Sequence, residues 1–215
     1  MTELRRPELL DPKRHDRSRF DCGDESLNDW LRHFSGQSRR AHTAATWVIA
    51  DRDDVVIAYA SLSMSSISLA AAPSALAKHS PDPVPALLCG RLGVDRQCAG
   101  LGVGTALVAH ILAAAVEMNQ TAAMKAVVVT AISPEARDWW ARFGFEPLDP
   151  SPDCLDLYLL TENIERTLKA LRNRAGIASP PWNVPRASSW PGDRIWAAWA
   201  TMESWWPYRP FFGRC

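Results

Sequence analysis

Gln97-Cys98-Ala99-Gly100-Leu101-Gly102-Val103-Gly104-Thr105 is the stretch on which the reading of this chain turns. Alternate glycines stand between a strand-like run at residues 86–94 and a helical pattern that continues to about Asn119. In that pattern Val103, Leu107, Val108, Ile111, Leu112, Ala115 and Val116 fall on one side. Glycines at a strand-to-helix junction let main-chain N–H groups approach and surround an anion, and the helix N-terminus adds partial positive charge. The stretch therefore points to a phosphate or pyrophosphate ligand. It lacks the Gly-Lys-Ser/Thr ending of a nucleotide-binding P-loop. It is also no dinucleotide fingerprint, because Thr105 stands where the third glycine belongs and the loop is mid-chain rather than in the first βα unit. A glycine-rich turn without a ligand is the alternative that the nine residues alone leave open.

Outward from the loop, the pattern predicts an α/β sheet. Residues 3–10 form a weak first strand because of Pro7. Asp24 or Ser26 caps a helix through Leu27, Trp30, Leu31 and Phe34, spaced i, i+3, i+4, i+7, and residues 36–43 break it. Residues 46–50 and 55–63 are β-rich runs around the turn-forming Asp51-Arg52-Asp53-Asp54, hence a hairpin. Residues 70–85, small and proline-rich, make a loop, with a short helical turn inside it as the alternative. After the central helix come an apolar strand at 126–131, a helix from Pro134 to near Gly144, and closing strands at Phe145 and 155–160.

Composition bounds the function. Of the 215 residues 47% are apolar, enough for a core, and the 24 basic side chains equal the 24 acidic ones. Overall charge thus gives no pointer to a nucleic-acid partner. Cys22, Cys89, Cys98, Cys154 and Cys215 are scattered, odd in number and never spaced C-x-x-C. That argues against a disulfide framework and a zinc site, and for a reducing cytoplasm and no metal. His15, His33, His42, His79 and His110 show no ligand spacing. No secretory h-region opens the chain, and no apolar run is long enough to span a bilayer, so no membrane partner is expected.

The wider context narrows the ligand. Leu88-Cys89-Gly90-Arg91-Leu92-Gly93-Val94-Asp95, followed by Gln97-x-x-Gly100-x-Gly102, resembles the signature of the GNAT (GCN5-related) N-acetyltransferase superfamily. The resemblance implies the GNAT acyl-CoA fold, a mixed, mostly antiparallel sheet flanked by helices. It implies acetyl-CoA as co-substrate. It assigns Leu92, Gly93 and Val94 to the pantetheine and acetyl carbonyl, and Gln97, Cys98, Ala99, Gly100, Leu101, Gly102, Val103, Gly104 and Thr105 to the pyrophosphate. Two further motifs lie in order. Phe20-Asp21-Cys22-Gly23 with Leu27-Asn28-Asp29-Trp30-Leu31, and Ala131-Ile132-Ser133 through Arg142-Phe143-Gly144-Phe145, look like the toxin branch of bacterial toxin–antitoxin pairs. That likeness covers roughly residues 5–165. It implies transfer of acetyl to the α-amine of an aminoacyl-tRNA, inhibition of translation, a ribbon-helix-helix antitoxin and a homodimer. A GNAT enzyme acting on a small amine or peptide N-terminus is the alternative within the class.

By the same resemblance the N–H of Val94 serves the developing oxyanion. The family helix reads F-Y-x-R-F-G-F, and its tyrosine hydroxyl protonates the leaving thiolate. Here Trp140 occupies that position. An indole N–H donates a hydrogen bond but does not surrender its proton. Losing a general acid typically costs ~10²–10⁴-fold. A catalytically weakened acetyl-CoA- or antitoxin-binding protein is therefore the alternative reading, with Tyr59 or Ser133 as substitute donors. Arg14, Arg17, Arg19, Arg39 and Arg40 flank the first helix and, in the toxin reading, position tRNA phosphates. A solvated surface offset by carboxylates is their other reading. Cys98 reads as a spacer, although a helix dipole lowers a nearby thiol's pKa.

The expected division is a catalytic domain at 1–170 and an irregular Trp/Pro/Arg-rich tail at 171–215. The tail holds six of the ten tryptophans and carries 6 basic against 2 acidic side chains. A partner-binding segment, a disordered extension and a shifted reading frame are all compatible with it.

Overall fold

The structure, a computed structural model, describes residues 4–174. The tail expected at 171–215 lies outside the described residues from 175 onward. Turn chemistry sets the central hairpin. Asp51 Oδ1 accepts hydrogen bonds from the amides of Asp53 and Val55, and Asp54 takes a left-handed φ of 62°. The β-branched and apolar runs on either side become β2 (Ala45–Ala50) and β3 (Val56–Ile67). In front of them β1 is only Glu8–Leu9. The short edge accommodates Pro7, while the amides of Arg5 and Leu10 still donate to Ala50 and Thr46.

Beyond β3 follow β4 (Val84–Val94), β5 (Ala126–Thr130), β6 (Glu146–Pro147) and β7 (Asp156–Leu160). The seven strands are ordered β1-β2-β3-β4-β5-β7-β6. Every neighbouring pair is antiparallel except β4 and β5, which run parallel. A mixed, mostly antiparallel sheet was the expectation, and it is what forms.

Helices cover both faces. The larger core joins one face to α4 (Val103–Met118), α5 (Pro134–Ala141) and α6 (Thr161–Arg174) through Leu107, Ile111, Leu112, Trp140 and Ile164. Each fully buried aliphatic side chain there contributes about 1.5–3 kcal/mol. The opposite face carries α1 (Glu25–Asp29), a π-helical stretch Trp30–Phe34 and α2 (Ser35–Arg40), packed through Phe20, Leu27, Leu31 and Tyr59. It also carries α3 (Ser74–Ala77) over β4, β5 and β7 through Leu76.

Two expectations change. The first helix does not stop at Gly36 but continues to Arg40. Gly36 is buried, and a Cβ there would lie 3.4 Å from Pro12 Cγ, so the glycine permits close approach rather than breaking the helix. The loop at 70–85 carries the short helical turn that the sequence allowed, α3, after a 3₁₀ turn at Leu69–Ala71. The sequence reading gave no helix at 161–174, and α6 crosses the boundary expected at 170. Its buried and half-buried Ile164, Leu168 and Leu171 have helical spacing, but polar residues surround them.

Candidate functional site

The site grows from a break in the β4 ladder. Parallel pairing with β5 ends at Cys89↔Val129. On the other side β3 continues to pair with Arg91–Val94, but its register shifts and leaves Gly90 without a partner. That bulge turns the end of β4 away from β5. The main-chain groups of residues 91–94 on the β5 side then have no strand to bond. A cleft of about 440 Å³ opens between them.

The glycine loop closes one end of the cleft. Arg96–Cys98 form a 3₁₀ turn capped by Asp95, whose Oδ1 accepts from the Gln97 amide. Gly100 and Gly102 have φ of 76° and 80°. A Cβ on either would meet nothing within 4 Å, so backbone conformation rather than space demands glycine. Gly102 is the N-cap of α4 and has no side chain to satisfy it. The first intrahelical bond to it comes from Ala106. The amides of Val103, Gly104 and Thr105 precede that bond and have no intrahelical partner. Val103, Gly104 and Thr105 all line the cleft, so the partial positive charge of the helix N-terminus lies at its wall.

The first sequence motif braces this loop. Asn28 Oδ1 accepts from the Cys22 amide, and its Nδ2 donates to Asp21 Oδ1. Asp21 in turn donates its amide to Asp95 Oδ2 and accepts the Arg96 amide on its carbonyl. Gly23, at φ 93°, lies so close to Arg96 that a Cβ would approach its Nε to 2.8 Å. Phe-x-Cys-Gly and Leu-Asn-x-Trp-Leu thus form a clasp that fixes the loop's entry.

Of the residues expected to hold the co-substrate, Leu92, Val94, Cys98, Ala99, Gly100, Gly102, Val103, Gly104 and Thr105 line the cleft. Gly93, Gln97 and Leu101 do not. Gly93 faces α1, where a Cβ would sit 3.0 Å from Tyr59 Cε1. Gln97 and Leu101 point outward, Leu101 being 73% exposed. The Cys98 thiol is not activated: burial first and the Asp95 charge next push its pKa up.

The facing wall is made of side chains. Ser133 caps α5 by accepting from the Ala136 amide, and Pro134 starts the helix. Trp140 is buried, edge-on to Trp139, Phe143 and Phe145. Trp139 reaches across to α4: a Cβ on Gly104 would stand 3.3 Å from its Cζ2. Among the described residues the cleft lining contains both tryptophans and no tyrosine, and the two substitutes named above are engaged elsewhere. Tyr59 is fully buried, and its hydroxyl donates to the Leu27 carbonyl at 2.8 Å. Burial, the largest cause, raises its pKa strongly. The Ser133 oxygen is the α5 cap.

The arginines named from sequence lie away from the cleft lining. Arg14 pairs with Glu8 and Asp54, Arg17 donates to Leu31 O and Ser35 Oγ, and Arg39 donates to Leu10 O. Arg40 is exposed on α2. The sequence reading missed Arg91, Arg142, Trp139, Thr130 and Ile132, which line the cleft. Arg91 stacks on Trp30 at 4.6 Å, and Arg142 lies 5.8 Å from the Trp139 ring. Arg91 sat inside the quoted strand; the others are brought in by the ends of β5 and α5.

A sheet split by a bulge, a glycine loop at the split and a helix N-terminus behind it define the class: this chain belongs to the Acetyltransferase (GNAT) family, whose model matches residues 5–145. More particularly, it is similar to proteins of the toxin branch. It is 34% identical over 139 residues to a tRNA-acetylating toxin of Mycobacterium tuberculosis, a match spanning 61% of this chain and 80% of the relative. Its fold is similar to that of AtaT complexed with acetyl-methionyl-tRNAfMet, with a TM-score of 0.70, 28% identity and coverage of 76% of this chain and 98% of the other. It also resembles an AtaT mutant toxin bound to the C-terminus of the antitoxin AtaR and acetyl-CoA, with a TM-score of 0.64, 26% identity and coverage of 76% and 97%. Among the described residues no helix is long and apolar enough to cross a membrane.

Proposed function

We propose that this acetyltransferase moves the acetyl group of acetyl-CoA to the α-amine of an aminoacyl-tRNA, as the toxin of a toxin–antitoxin pair. The observation that carries the proposal is the cleft itself: an unpaired arm of β4 running into unpaired loop amides. Its support is the likeness to relatives that act on or bind charged tRNA. In this reading the open edge of residues 92–94 bonds the pantetheine and the thioester carbonyl, and the Val94 N–H meets the developing oxyanion. The amides from Gly100 to Thr105 hold the pyrophosphate. The amine needs little activation, since α-amines titrate near ~7.7–8.0 and a neutral fraction is present at neutral pH. A ribbon-helix-helix antitoxin and a homodimer complete the proposal, and Arg14, Arg17, Arg39 and Arg40 contribute positioning contacts to tRNA phosphate. Incubation with aminoacylated tRNA and radiolabelled acetyl-CoA tests it. Label is expected on the amino acid, and an intact charged tRNA pool without label would overturn it.

The indole in the tyrosine position supports a second reading. With Trp140 buried and no tyrosine in the lining among the described residues, the chain in this reading binds acetyl-CoA and turns over slowly. Trp140→Tyr separates the two, because a silent wild type and an active variant select the second.

A further inference from the structure

The cleft has a charge asymmetry that bears on the acceptor. Among the described residues its lining holds two charged side chains, Arg91 and Arg142, both positive, and no Asp or Glu. An acceptor amine arrives largely as an ammonium, so these walls repel it. Among the described lining residues, Thr130 is the one whose side chain is hydrogen-bonded to a carboxylate. Thr130 Oγ1 donates to Asp156 Oδ1 at 2.6 Å.

The position of that pair follows from the ladders. Thr130 is the last residue of β5, and the next parallel rung after Cys89↔Val129 would join it to the bulged Gly90. It therefore stands where the two strands part. Across the sheet it pairs with Asp156 on β7, so the two side chains share a face. Alternation from Val128 puts that face on the side of α3, and cross-strand pairing through Ser61 puts Arg91 on the same side. The loop amides and the α5 tryptophans approach from the other side. The cleft thus joins an anion-binding end to an end where a hydroxyl has committed its proton to a carboxylate.

We propose that Thr130 and Asp156 form the amine subsite. Thr130 Oγ1, its proton held by Asp156, accepts a hydrogen bond from the acceptor amine and aims the nitrogen at the thioester. Asp156 is a positioning residue that acts through Thr130. No covalent step is assigned to either. The inference rests on the aminoacyl-tRNA reading above and names the groups that recognise its amine.

The test uses a dead-end complex, so that it does not depend on turnover. The full chain is saturated with CoA, which carries no acetyl group. Its affinity for total aminoacylated tRNA is compared with that for the same tRNA deacylated. Wild type is expected to prefer the charged form roughly tenfold, as a hydrogen bond to a charged group gives. Thr130→Val and Asp156→Ala are expected to reduce that preference to about twofold or less, and Thr130→Ser to restore it. Both side chains are exposed, so the variants keep the fold. Affinity for acetyl-CoA should be unchanged in all three. A wild type that binds both tRNA forms equally, or a Val or Ala variant that keeps the preference, overturns the subsite alone. Absence of binding to either tRNA form overturns the aminoacyl-tRNA reading, and the subsite falls with it.

Discussion

The two walls of the cleft are built from different materials. One wall, the end of β4 and the loop at 97–105, presents main chain: unpaired amides held by a bulge, two left-handed glycines and the clasp from residues 20–28. The other wall, α5, presents side chains: Trp139, Trp140 and Arg142. A main-chain wall tolerates almost any side chain that leaves its conformation alone. A side-chain wall changes its chemistry with a single substitution. In the proposed reading the main-chain wall keeps acetyl-CoA binding while Trp140 alters proton transfer, and each wall can be tested separately.

The largest effect belongs to the side-chain wall. Trp140→Tyr places a hydroxyl beside the leaving thiolate, and kcat is expected to rise about 10²-fold, the lower end of what a general acid contributes. Affinity for acetyl-CoA by calorimetry should not follow. The smaller ring leaves space among Trp139, Phe143 and Phe145, so a loss of about 1–2 kcal/mol in urea unfolding accompanies the gain. If kcat is unmoved, the walls do not divide the work as stated.

Next comes the main-chain wall. Replacing Gly100 and Gly102 together by valine forces β-branched residues into φ near 76° and 80°. Such strain costs of order 1–3 kcal/mol per residue, and the loop will relax to avoid it. Acetyl-CoA affinity is expected to fall by about 10² or more in calorimetry. The melting temperature should change little, because neither position packs against anything within 4 Å.

The contrast also explains what sequence revealed. Main-chain architecture leaves local marks: glycines where φ is positive, Asp51 at a turn, alternation along β3, Pro134 at a helix start. Those marks placed β2, β3, β4, β5 and β7 to within four residues at each end, while both edge strands departed, β1 forming at 8–9 where 3–10 was expected and β6 at 146–147 rather than at Phe145. Side-chain placement leaves none, because it depends on pairs far apart in the chain. Thr130 and Asp156 are 26 residues apart, and Tyr59 bonds a carbonyl 32 residues away. Tyr59 therefore read as a possible donor and proved to be a buried strut. Helix α6 was missed for a third reason: its apolar positions Ile164, Leu168 and Leu171 keep helical spacing but are few among polar residues, and they pack against the core.

A smaller effect probes α4, the helix that presents the main-chain wall. His110 is packed edge-on against Trp47 at 4.4 Å, and its Nε2 is buried without a hydrogen-bond partner among the described residues. Burial lowers its pKa from 6.5 to about 4. The neutral ring is the folded form, so its contribution is complete above pH 6.5 and is lost as pH falls toward 4. Between pH 8 and pH 5 that amounts to about 2 kcal/mol. The shifted carboxylates, such as Asp16 and Asp24, start from 3.8 and are lowered further, so they act below this window. Urea unfolding across the window should show the loss in wild type and a flat profile in His110→Leu. Equal slopes would mean that the ring is not held neutral by the fold.

The smallest effect is the sharpest test of the main-chain wall. Leu101 stands between the two left-handed glycines at the tip of the loop, and it is 73% exposed and absent from the cleft lining. If the loop works through amides, Leu101→Ala removes a side chain from water and leaves every donor in place. Alanine holds a non-glycine backbone as leucine does, so the flanking φ values are unchanged. Acetyl-CoA affinity should then shift by less than about twofold, beside a loss of about 10² for the paired glycine change two atoms of backbone away. A large loss in Leu101→Ala would mean that an apolar contact at the loop tip, not the row of amides, holds the co-substrate, and the division between a main-chain wall and a side-chain wall would disappear.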